Sequence, residues 1–267
     1  MNITTIIQKL SILLVFWLFF FACSKDVVEP PDEDAVEVIQ PEVIATFPHD
    51  PAAFTQGLLW HDGVFFESTG RYGQSSLRKV AIVSGEVQLR HDLDSRFFGE
   101  GLALKNDRLV QLTWLENTAL VYDMTNFAPV DTFPYPTQGW GLTNDDTHFI
   151  MSDGSDQIYF RDDNFELVKT IFVTRDGEPV NQLNELEFVN GLIYANVWQT
   201  EIIVGIDPQS GDVRRVIDCS GLVAAENPQG SGAVLNGIAY NPQTDTFYLT
   251  GKLWKTVFEV RLESTAF

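Results

Sequence analysis

Glu100 is an acidic residue at a position where the apolar strand pattern around it predicts an uncharged one. It stands directly before a Gly-Leu pair, at the start of an apolar strand pattern. This pattern recurs along the chain, and the equivalent positions hold Gln56, Glu100, Trp140, Asn184 and Asn236. Packing would keep such positions alike, so their variety indicates a functional role. A carboxyl group beside indoles and partly out of water has a raised pKa, which suits proton transfer near neutrality.

A second set of residues lies fourteen positions further along four of these segments. The positions hold Gly70, Trp114, Gly154 and Trp198, and a step of sixteen in the fifth segment gives Lys252. Because a turn reverses the chain between the two sets, both lie at the same face of the fold. The sequence therefore predicts one pocket lined by an acid, a cation, indoles and carboxamides.

Five copies of one unit carry these residues. The copies open with TQGLLW, GEGLAL, GWGLTN, LNELEF and LNGIAY, at steps of 44, 40, 44 and 52 residues. Steps of this size are typical of propeller blades. Each copy continues with short β-branched and aromatic strands between turn residues, which predicts antiparallel hairpins. The predicted fold is all-β, a five-bladed β-propeller of residues 43–267.

The fifth copy lacks a fourth strand, and a matching strand precedes the first copy. EVIATFPHDP, from Glu42, resembles PVDTFPYPTQ, the fourth strand of the second copy. An N-terminal strand that completes the last blade would close the ring and remove exposed sheet edges. An open β-sandwich is the competing fold, but it does not predict this match between the two ends. A closed ring also favours a monomer, because it has no free edge.

Two segments precede the predicted propeller. Residues 1–22 contain one Lys and then an almost unbroken apolar run, followed by Cys23. This pattern is typical of a bacterial lipoprotein signal peptide with Cys23 as the lipidated residue, whereas a transmembrane helix would need about 20 apolar residues. Residues 23–42 contain seven acids and three Pro, which predicts an acidic disordered tether. Ser24 favours the outer membrane, so we expect a lipid-anchored protein of the cell envelope, facing the periplasm or the exterior.

Charge and composition argue against several classes of function. The chain has 17 basic and 37 acidic residues, and so acidic a surface repels nucleic acids and anionic membranes. Cys219 is the single Cys of the predicted propeller, which excludes an intrachain disulfide there. The four His, at 49, 61, 91 and 148, have no metal-ligand spacing. We therefore expect neither a metal nor a cofactor.

Other acids receive mainly structural interpretations. Glu67 and Asp153 lie on second strands, where they are expected to hold turns by hydrogen bonds. Acids also recur as turn formers after third strands, at Asp123, Asp162 and Asp207.

Glu185 replaces a Gly of the repeat and is a candidate for the pocket rim. Residues 220–235 predict a loop over the channel mouth. For Glu100 itself, the alternative is an acid that only caps a turn.

Six segments, in order, carry a family resemblance: FTQGL, FGEGL, GWGLT, LNELE, YANVW and LTGKLW. Over residues 43–267 the chain resembles the plant and bacterial type of glutaminyl-peptide cyclotransferase, the papaya-latex-like glutamine cyclotransferases. The resemblance implies a five-bladed propeller that works without metal, with Glu100 as the catalytic residue. It also implies substrate-binding roles for Gln56, Trp140, Asn184, Trp198 and Lys252. The repeat argument adds Trp114 and Asn236 to this pocket.

The implied reaction converts the N-terminal Gln of peptides or exported proteins to pyroglutamate and releases ammonia. One carboxyl group, that of Glu100, can serve as base and then as acid, while indole walls hold the two reacting ends together. Lys252, Asn184 or Gln56 would donate to the developing oxyanion.

Two alternatives remain open. A metal-dependent propeller hydrolase, such as a lactonase, would need several carboxylates or His in the inner ring. A non-catalytic propeller could bind a peptide or a glycan at the same mouth.

Overall fold

The computed structural model of the chain describes residues 36–263. The predicted signal peptide, Cys23 and most of the predicted tether lie outside these residues. The described part begins with two strands, β1 (Glu37–Ile39) and β2 (Glu42–Pro48).

Five antiparallel sheets, the blades, follow in chain order. Blade 1 consists of β3 (Thr55–His61), β4 (Val64–Thr69), β5 (Ser76–Ala81) and β6 (Val87–Asp92). Blade 2 consists of β7 (Gly99–Lys105), β8 (Arg108–Thr113), β9 (Thr118–Asp123) and β10 (Pro129–Pro134). Blade 3 consists of β11 (Leu142–Asn144), β12 (Phe149–Ser152), β13 (Gln157–Arg161) and β14 (Leu167–Phe172).

A short hairpin, β15 (Thr174–Arg175) and β16 (Glu178–Pro179), separates blades 3 and 4. Blade 4 consists of β17 (Leu183–Val189), β18 (Leu192–Val197), β19 (Ile202–Ile206) and β20 (Val213–Asp218). The helix α1 (Ser220–Glu226) leads to blade 5, which consists of β21 (Leu235–Asn241), β22 (Thr246–Gly251) and β23 (Thr256–Arg261). Among residues 36–263, no helix has the length and hydropathy needed to cross a bilayer.

The N-terminal strand completes the last blade. β2 pairs antiparallel with β23, and Thr46 lies opposite Phe258 in their register. Blade 5 therefore has its fourth strand from the start of the ring, which joins its two ends by main-chain hydrogen bonds. The predicted five-bladed propeller and its mode of closure are confirmed.

The tether predicted for residues 23–42 is too long at its C-terminal end. β1 pairs in parallel with β20, and Glu37 lies opposite Arg215. Ile39 is 1% exposed, and the Glu37 carboxylate lies 2.8 Å from Arg215 Nε. Burial of Ile39 and strand pairing with β20 at the outer edge of blade 4 outweigh the acidic composition, while Val38 stays 59% exposed. The folded domain thus begins before the predicted boundary at residue 43.

Buried apolar clusters lie between neighbouring blades all round the ring. The cluster between the last and first blades, for example, contains Leu58, Phe65, Ala239 and Tyr248. Successive side chains of a strand point to opposite faces, so each blade packs one face on the blade before it and the other on the blade after it. Both faces of the strands are therefore apolar. Burial of one such large apolar side chain contributes about 1.5–3 kcal/mol. The ring is thereby closed by packing as well as by strand pairing.

Close approach of the inner strands explains the Gly of the repeated Gly-Leu pattern. A Cβ atom at Gly141 would lie 1.9 Å from the main-chain oxygen of Asn184. A Cβ atom at Gly101 would lie 2.4 Å from the main-chain nitrogen of Leu142. A side chain at either position would push neighbouring blades apart, so the Gly is a packing requirement beside the variable ring position.

Glu185 takes the place of this Gly in blade 4 and lies on the propeller axis, away from the pocket rim where the sequence placed it. Its carboxylate accepts hydrogen bonds from the main-chain N–H of Leu58, at 3.2 Å, and of Ile238, at 2.8 Å. The residue is fully buried, and burial raises the pKa of its carboxyl well above the ordinary value. Glu185 therefore joins blade 4 to blades 1 and 5, and the rim prediction was wrong because the side chain turns inward.

Glu187 gives a pH-dependent contribution to stability. Burial raises the pKa of its carboxyl from 4.5 to about 8. Between these pH values the folded protein holds a proton that unfolding releases, so the free energy of unfolding falls as pH rises. In urea denaturation at pH 5.5 and pH 8.5, Glu187→Gln is expected to lose less stability over this interval than the wild type. An equal loss in both proteins would contradict this prediction.

The segment 220–235, predicted as a loop, begins with the helix α1. The Glu226 carboxylate accepts a hydrogen bond of 2.8 Å from the main-chain N–H of Lys255, which fixes the end of the helix. The rest of the segment is irregular and approaches the mouth of the channel. A Cβ atom at Gly232 would lie 3.6 Å from the ring of Phe54. The predicted loop is therefore confirmed for residues 227–234 and is wrong for residues 220–226, which form the helix.

Candidate active site

A cavity of about 260 Å³ opens where the two predicted rings of residues meet. Its lining combines residues that precede the Gly-Leu pattern with residues that follow second strands. The lining consists of Phe54, Gln56, Phe98, Glu100, Trp114, Trp140, Asn184, Trp198 and Lys252. Seven of these nine residues belong to the predicted site, so the fold brings together side chains from all five blades.

Glu100 lies near the start of β7, where the fold removes its carboxyl group from water. The residue is 4% exposed, and Gln56 Nε2 donates a hydrogen bond of 2.9 Å to its Oε1. Burial raises the pKa of the Glu100 carboxyl well above its ordinary value. The Lys252 ammonium opposes this rise, and the Glu116 carboxylate adds to it. Such a carboxyl group can serve first as a base and then as an acid in one reaction.

Lys252 places the cationic group of the lining directly after β22. Burial lowers the pKa of its ammonium to about 8, while the Glu100 carboxylate acts in the opposite direction. The Nζ atom lies 5.1 Å from the centroid of the Phe54 ring. A main-chain hydrogen bond of 2.8 Å from Lys252 N–H to Val234 holds the backbone in place. The pocket therefore contains a positive charge that can face a developing negative one.

Two perpendicular indoles form one wall of the pocket. The rings of Trp140 and Trp198 meet edge to face, with centroids 5.5 Å apart and planes at 89°. Gly154 makes room for this wall, because a Cβ atom there would lie 2.6 Å from the Trp140 ring. The backbone of Gly154 is also left-handed, with φ of +85°. The Gly at this ring position is therefore required by the adjacent indole.

The lining also contains two phenylalanines that the repeat pattern had not indicated, Phe54 and Phe98. Phe98 packs edge to face on Trp114, with centroids 5.5 Å apart, and on Phe54 at 6.2 Å. Each Phe stands two residues before a ring residue, in FTQ and in FGE. This shared spacing before Gln56 and Glu100 is the signal that would have found them.

Two buried amide oxygens of the lining have no hydrogen-bond donor within the described range 36–263. They are Oε1 of Gln56 and Oδ1 of Asn184. A buried carbonyl oxygen without a donor is costly in the folded state, and native structures usually satisfy such groups. Both residues belong to the lining, so these two oxygens lie within the wall of the pocket.

Asn236, the fifth residue of the inner ring, does not line the cavity. Its Nδ2 donates a hydrogen bond of 3.0 Å to the main-chain oxygen of Thr55. The side chain is fully buried and links blade 5 to blade 1. Its assignment to the substrate pocket is thereby corrected, since the amide is used to hold the ring together.

The acids expected to hold turns differ in their surroundings. Asp153 accepts hydrogen bonds from Ser155 N, at 3.1 Å, and from the Tyr159 hydroxyl, at 2.9 Å, so its turn role is confirmed. Glu67 is instead buried beside a histidine and an arginine, His49 at 2.9 Å and Arg78 at 3.8 Å. The turn role of three further acids is also confirmed, at Asp123, Asp162 and Asp207.

The pocket chemistry is that of a proton donor and acceptor beside a cation, between aromatic walls. Glu100 can transfer protons, and Lys252 can stabilise negative charge on a carbonyl oxygen. Within the described residues, no group of three or more His, Cys, Asp or Glu side chains is placed to hold a metal ion. A proton donor and acceptor beside a cation is the chemistry that attack on a carbonyl carbon requires.

Comparison with known proteins shows close relatives. A family model described as "Glutamine cyclotransferase" matches residues 15–262. A "Glutaminyl-peptide cyclotransferase" of Arabidopsis thaliana is 40% identical over 230 residues, which cover 84% of this chain and 72% of that protein. The crystal structure of Myxococcus xanthus glutaminyl cyclase matches with a TM-score of 0.82 and 39% identity, covering 86% of this chain and 99% of that one.

Proposed function

Since the chain belongs to the glutamine cyclotransferase family and is a glutaminyl-peptide cyclotransferase, we propose that the pocket around Glu100 is its active site. The observation that carries this proposal is the single buried carboxyl of the lining, set between aromatic walls and opposite Lys252. The reaction cyclises an N-terminal Gln to pyroglutamate and releases ammonia. A cavity of about 260 Å³ suits one such residue, because it is smaller than the roughly 300–1,000 Å³ of pockets that hold drug-sized ligands.

Glu100 moves the proton that the reaction must transfer. The α-amine of the substrate attacks the side-chain carbonyl carbon, so a carbon–nitrogen bond forms and the amine must lose a proton. The bond from that carbon to the amide nitrogen then breaks, and the leaving nitrogen must gain a proton. The Glu100 carboxylate takes the proton from the amine and returns it to the leaving nitrogen. The products are the lactam and ammonia, so the enzyme ends in its starting protonation state.

Lys252 and the amides of the lining orient the carboxamide of the substrate. The Lys252 ammonium donates to the carbonyl oxygen, on which negative charge develops as the amine attacks. The amide side chains of Gln56 and Asn184, both in the lining, add polar contacts to the substrate. These contacts hold the amine and the carbonyl carbon in near-attack geometry.

The aromatic walls favour cyclisation over hydrolysis. Water that entered the pocket could attack the same carbonyl carbon and would convert the Gln to Glu. The rings of Trp140 and Trp198 fill the space beside the reacting centre and limit this competition. The small pocket also accepts a chain terminus rather than an internal Gln.

The test of this proposal is turnover of a peptide that begins with Gln, in the presence of a chelator. The lining supplies one carboxyl and one ammonium, so we propose that the chemistry needs no metal. We expect the peptide to lose the mass of ammonia at the same rate with and without EDTA. A rate that falls in EDTA and returns with added metal would contradict metal independence, and an unchanged peptide mass would contradict the proposed site chemistry.

We also propose that Cys23 carries a lipid that anchors the enzyme in the cell envelope. The support is the apolar run of residues 1–22 and the Cys that follows it, both outside the described residues. Cells fed an alkyne fatty acid should label the wild type and Cys219→Ser but not Cys23→Ser. Equal labelling of the Cys23→Ser variant would exclude lipidation at this position.

A further inference from the structure

Gln138 joins two walls of the pocket through one oxygen atom. Its Oε1 accepts a hydrogen bond of 2.8 Å from Trp114 Nε1 and another of 3.0 Å from Trp140 Nε1. An indole N–H can only donate, so both contacts require the amide oxygen and define which way the amide is turned. The side-chain orientation of Gln138 is therefore set by two donors from different blades.

These two hydrogen bonds connect lining residues of neighbouring blades. Trp114 follows the second strand of blade 2, and Trp140 precedes the first strand of blade 3. Trp140 in turn packs edge to face on Trp198. Movement of the Gln138 side chain would therefore break the hydrogen bonds of both Trp114 and Trp140. Trp140 also packs on Trp198, so that contact would change as well.

The other end of the amide points a donor group away from the indoles. Gln138 is exposed, and its Nε2 has no hydrogen-bond acceptor among residues 36–263. The oxygen is held by two donors that line the pocket, so the Nε2 group is pre-oriented beside Trp114 and Trp140. A pre-oriented donor costs little entropy when a ligand binds to it.

We propose that Gln138 is a specificity-determining residue whose Nε2 donates to the first main-chain carbonyl of the peptide, while its Oε1 positions Trp114 and Trp140. This inference rests on the proposed function. When the Gln side chain and the α-amine occupy the pocket, the carbonyl on the α-carbon is the first acceptor that meets the rim. The ligand class is thus the peptide bond that follows an N-terminal Gln.

Two variants separate the donor role from the positioning role. Gln138→Glu keeps an oxygen for the two indoles and removes the Nε2 donor. Gln138→Leu removes both functions. Two ligands complete the design: a Gln-Ala dipeptide amide, and 4-aminobutyramide, which has the amine and the carboxamide but no main-chain carbonyl.

For Gln138→Glu we expect kcat/KM for the dipeptide amide to fall about five-fold, as loss of one neutral hydrogen bond implies. The inhibition constant of 4-aminobutyramide, measured by competition, should stay within two-fold of the wild-type value. For Gln138→Leu we expect kcat/KM to fall more than ten-fold, the inhibition constant to rise, and the tryptophan emission spectrum to shift. Gln209→Glu, on an outer turn of blade 4, is the matched control for added charge.

Unchanged kcat/KM in Gln138→Glu would overturn the donor role. An unchanged inhibition constant in Gln138→Leu would overturn the positioning role, provided that its thermal unfolding matches that of the wild type. If Gln138→Leu is unstable, Gln138→Met gives the same comparison. Absence of turnover in the wild type would instead refute the proposed function, so the two failures are distinguishable.

Discussion

Replacement of Glu100 by Gln is expected to lower kcat/KM for a Gln-initiated peptide by about 10³-fold, within the range of general acid–base catalysis. The amide has nearly the same shape as the carboxyl group, and its oxygen can still accept the hydrogen bond from Gln56. It cannot take a proton from the attacking amine or return one to the leaving nitrogen. Ammonia release measured under kcat/KM conditions, together with thermal unfolding, checks this result.

Glu187→Gln provides the matched control for Glu100→Gln. Glu187 is also a carboxyl with a raised pKa on an inner strand, but it lines a different cavity. We expect this variant to keep kcat/KM within a few-fold of the wild type. Near-normal turnover by a folded Glu100→Gln protein would remove Glu100 from the catalytic role.

Replacement of Lys252 by Met is expected to lower kcat/KM by about 10²-fold, the loss typical for removal of one oxyanion donor. The Met side chain fills similar space and removes the positive charge. Loss of that charge also leaves the buried Glu100 carboxylate without the group that opposes the rise of its pKa. Lys255→Met, three residues further along at an exposed position, should leave kcat/KM unchanged.

The pH profile separates the charge of Lys252 from its packing. With a pKa of about 8, the Lys252 ammonium loses its proton above that pH, so kcat/KM should fall on the alkaline side. Lys252→Arg keeps the charge at higher pH, because an arginine remains protonated there. In an active Lys252→Arg variant the alkaline decline should therefore move upward. A decline at the same pH would assign it to another group.

The ring of blades was predictable because the repeat imposes the same local requirements five times. Four of the five copies repeat the Gly next to the ring position, and the strands of every copy alternate as a sheet requires. The strand that completes blade 5 was visible as a match between two fourth strands. The short strand β1 was not, because it lies in an acidic segment and is held by its pairing with β20 and by burial of Ile39.

The lining of the pocket was predictable where equivalent positions of the repeat point their side chains in the same direction. Gln56, Glu100 and Asn184 occupy equivalent places, and their side chains reach the same cavity. Asn236 is equivalent in sequence, but its amide is used in a hydrogen bond to Thr55. Repeat position sets where a Cα lies and cannot say which neighbour a polar side chain will contact.

Glu185 shows the same limit for a charged residue. A carboxylate in place of an axial Gly suggested exposure at the rim, since burial of a charge is costly. The structure satisfies it with two main-chain N–H groups from other blades. Those partners are 127 and 53 residues away in the chain, so no local pattern could indicate them.

The most direct test of the active-site assignment is a crystal structure of Glu100→Gln soaked with a Gln-initiated peptide that it cannot turn over. We expect the Gln side chain between Trp140 and Trp198, with the α-nitrogen within hydrogen-bond distance of residue 100. The carbonyl oxygen of the carboxamide should face Lys252. A peptide bound at the opposite face of the propeller, or with its α-nitrogen far from residue 100, would contradict this assignment.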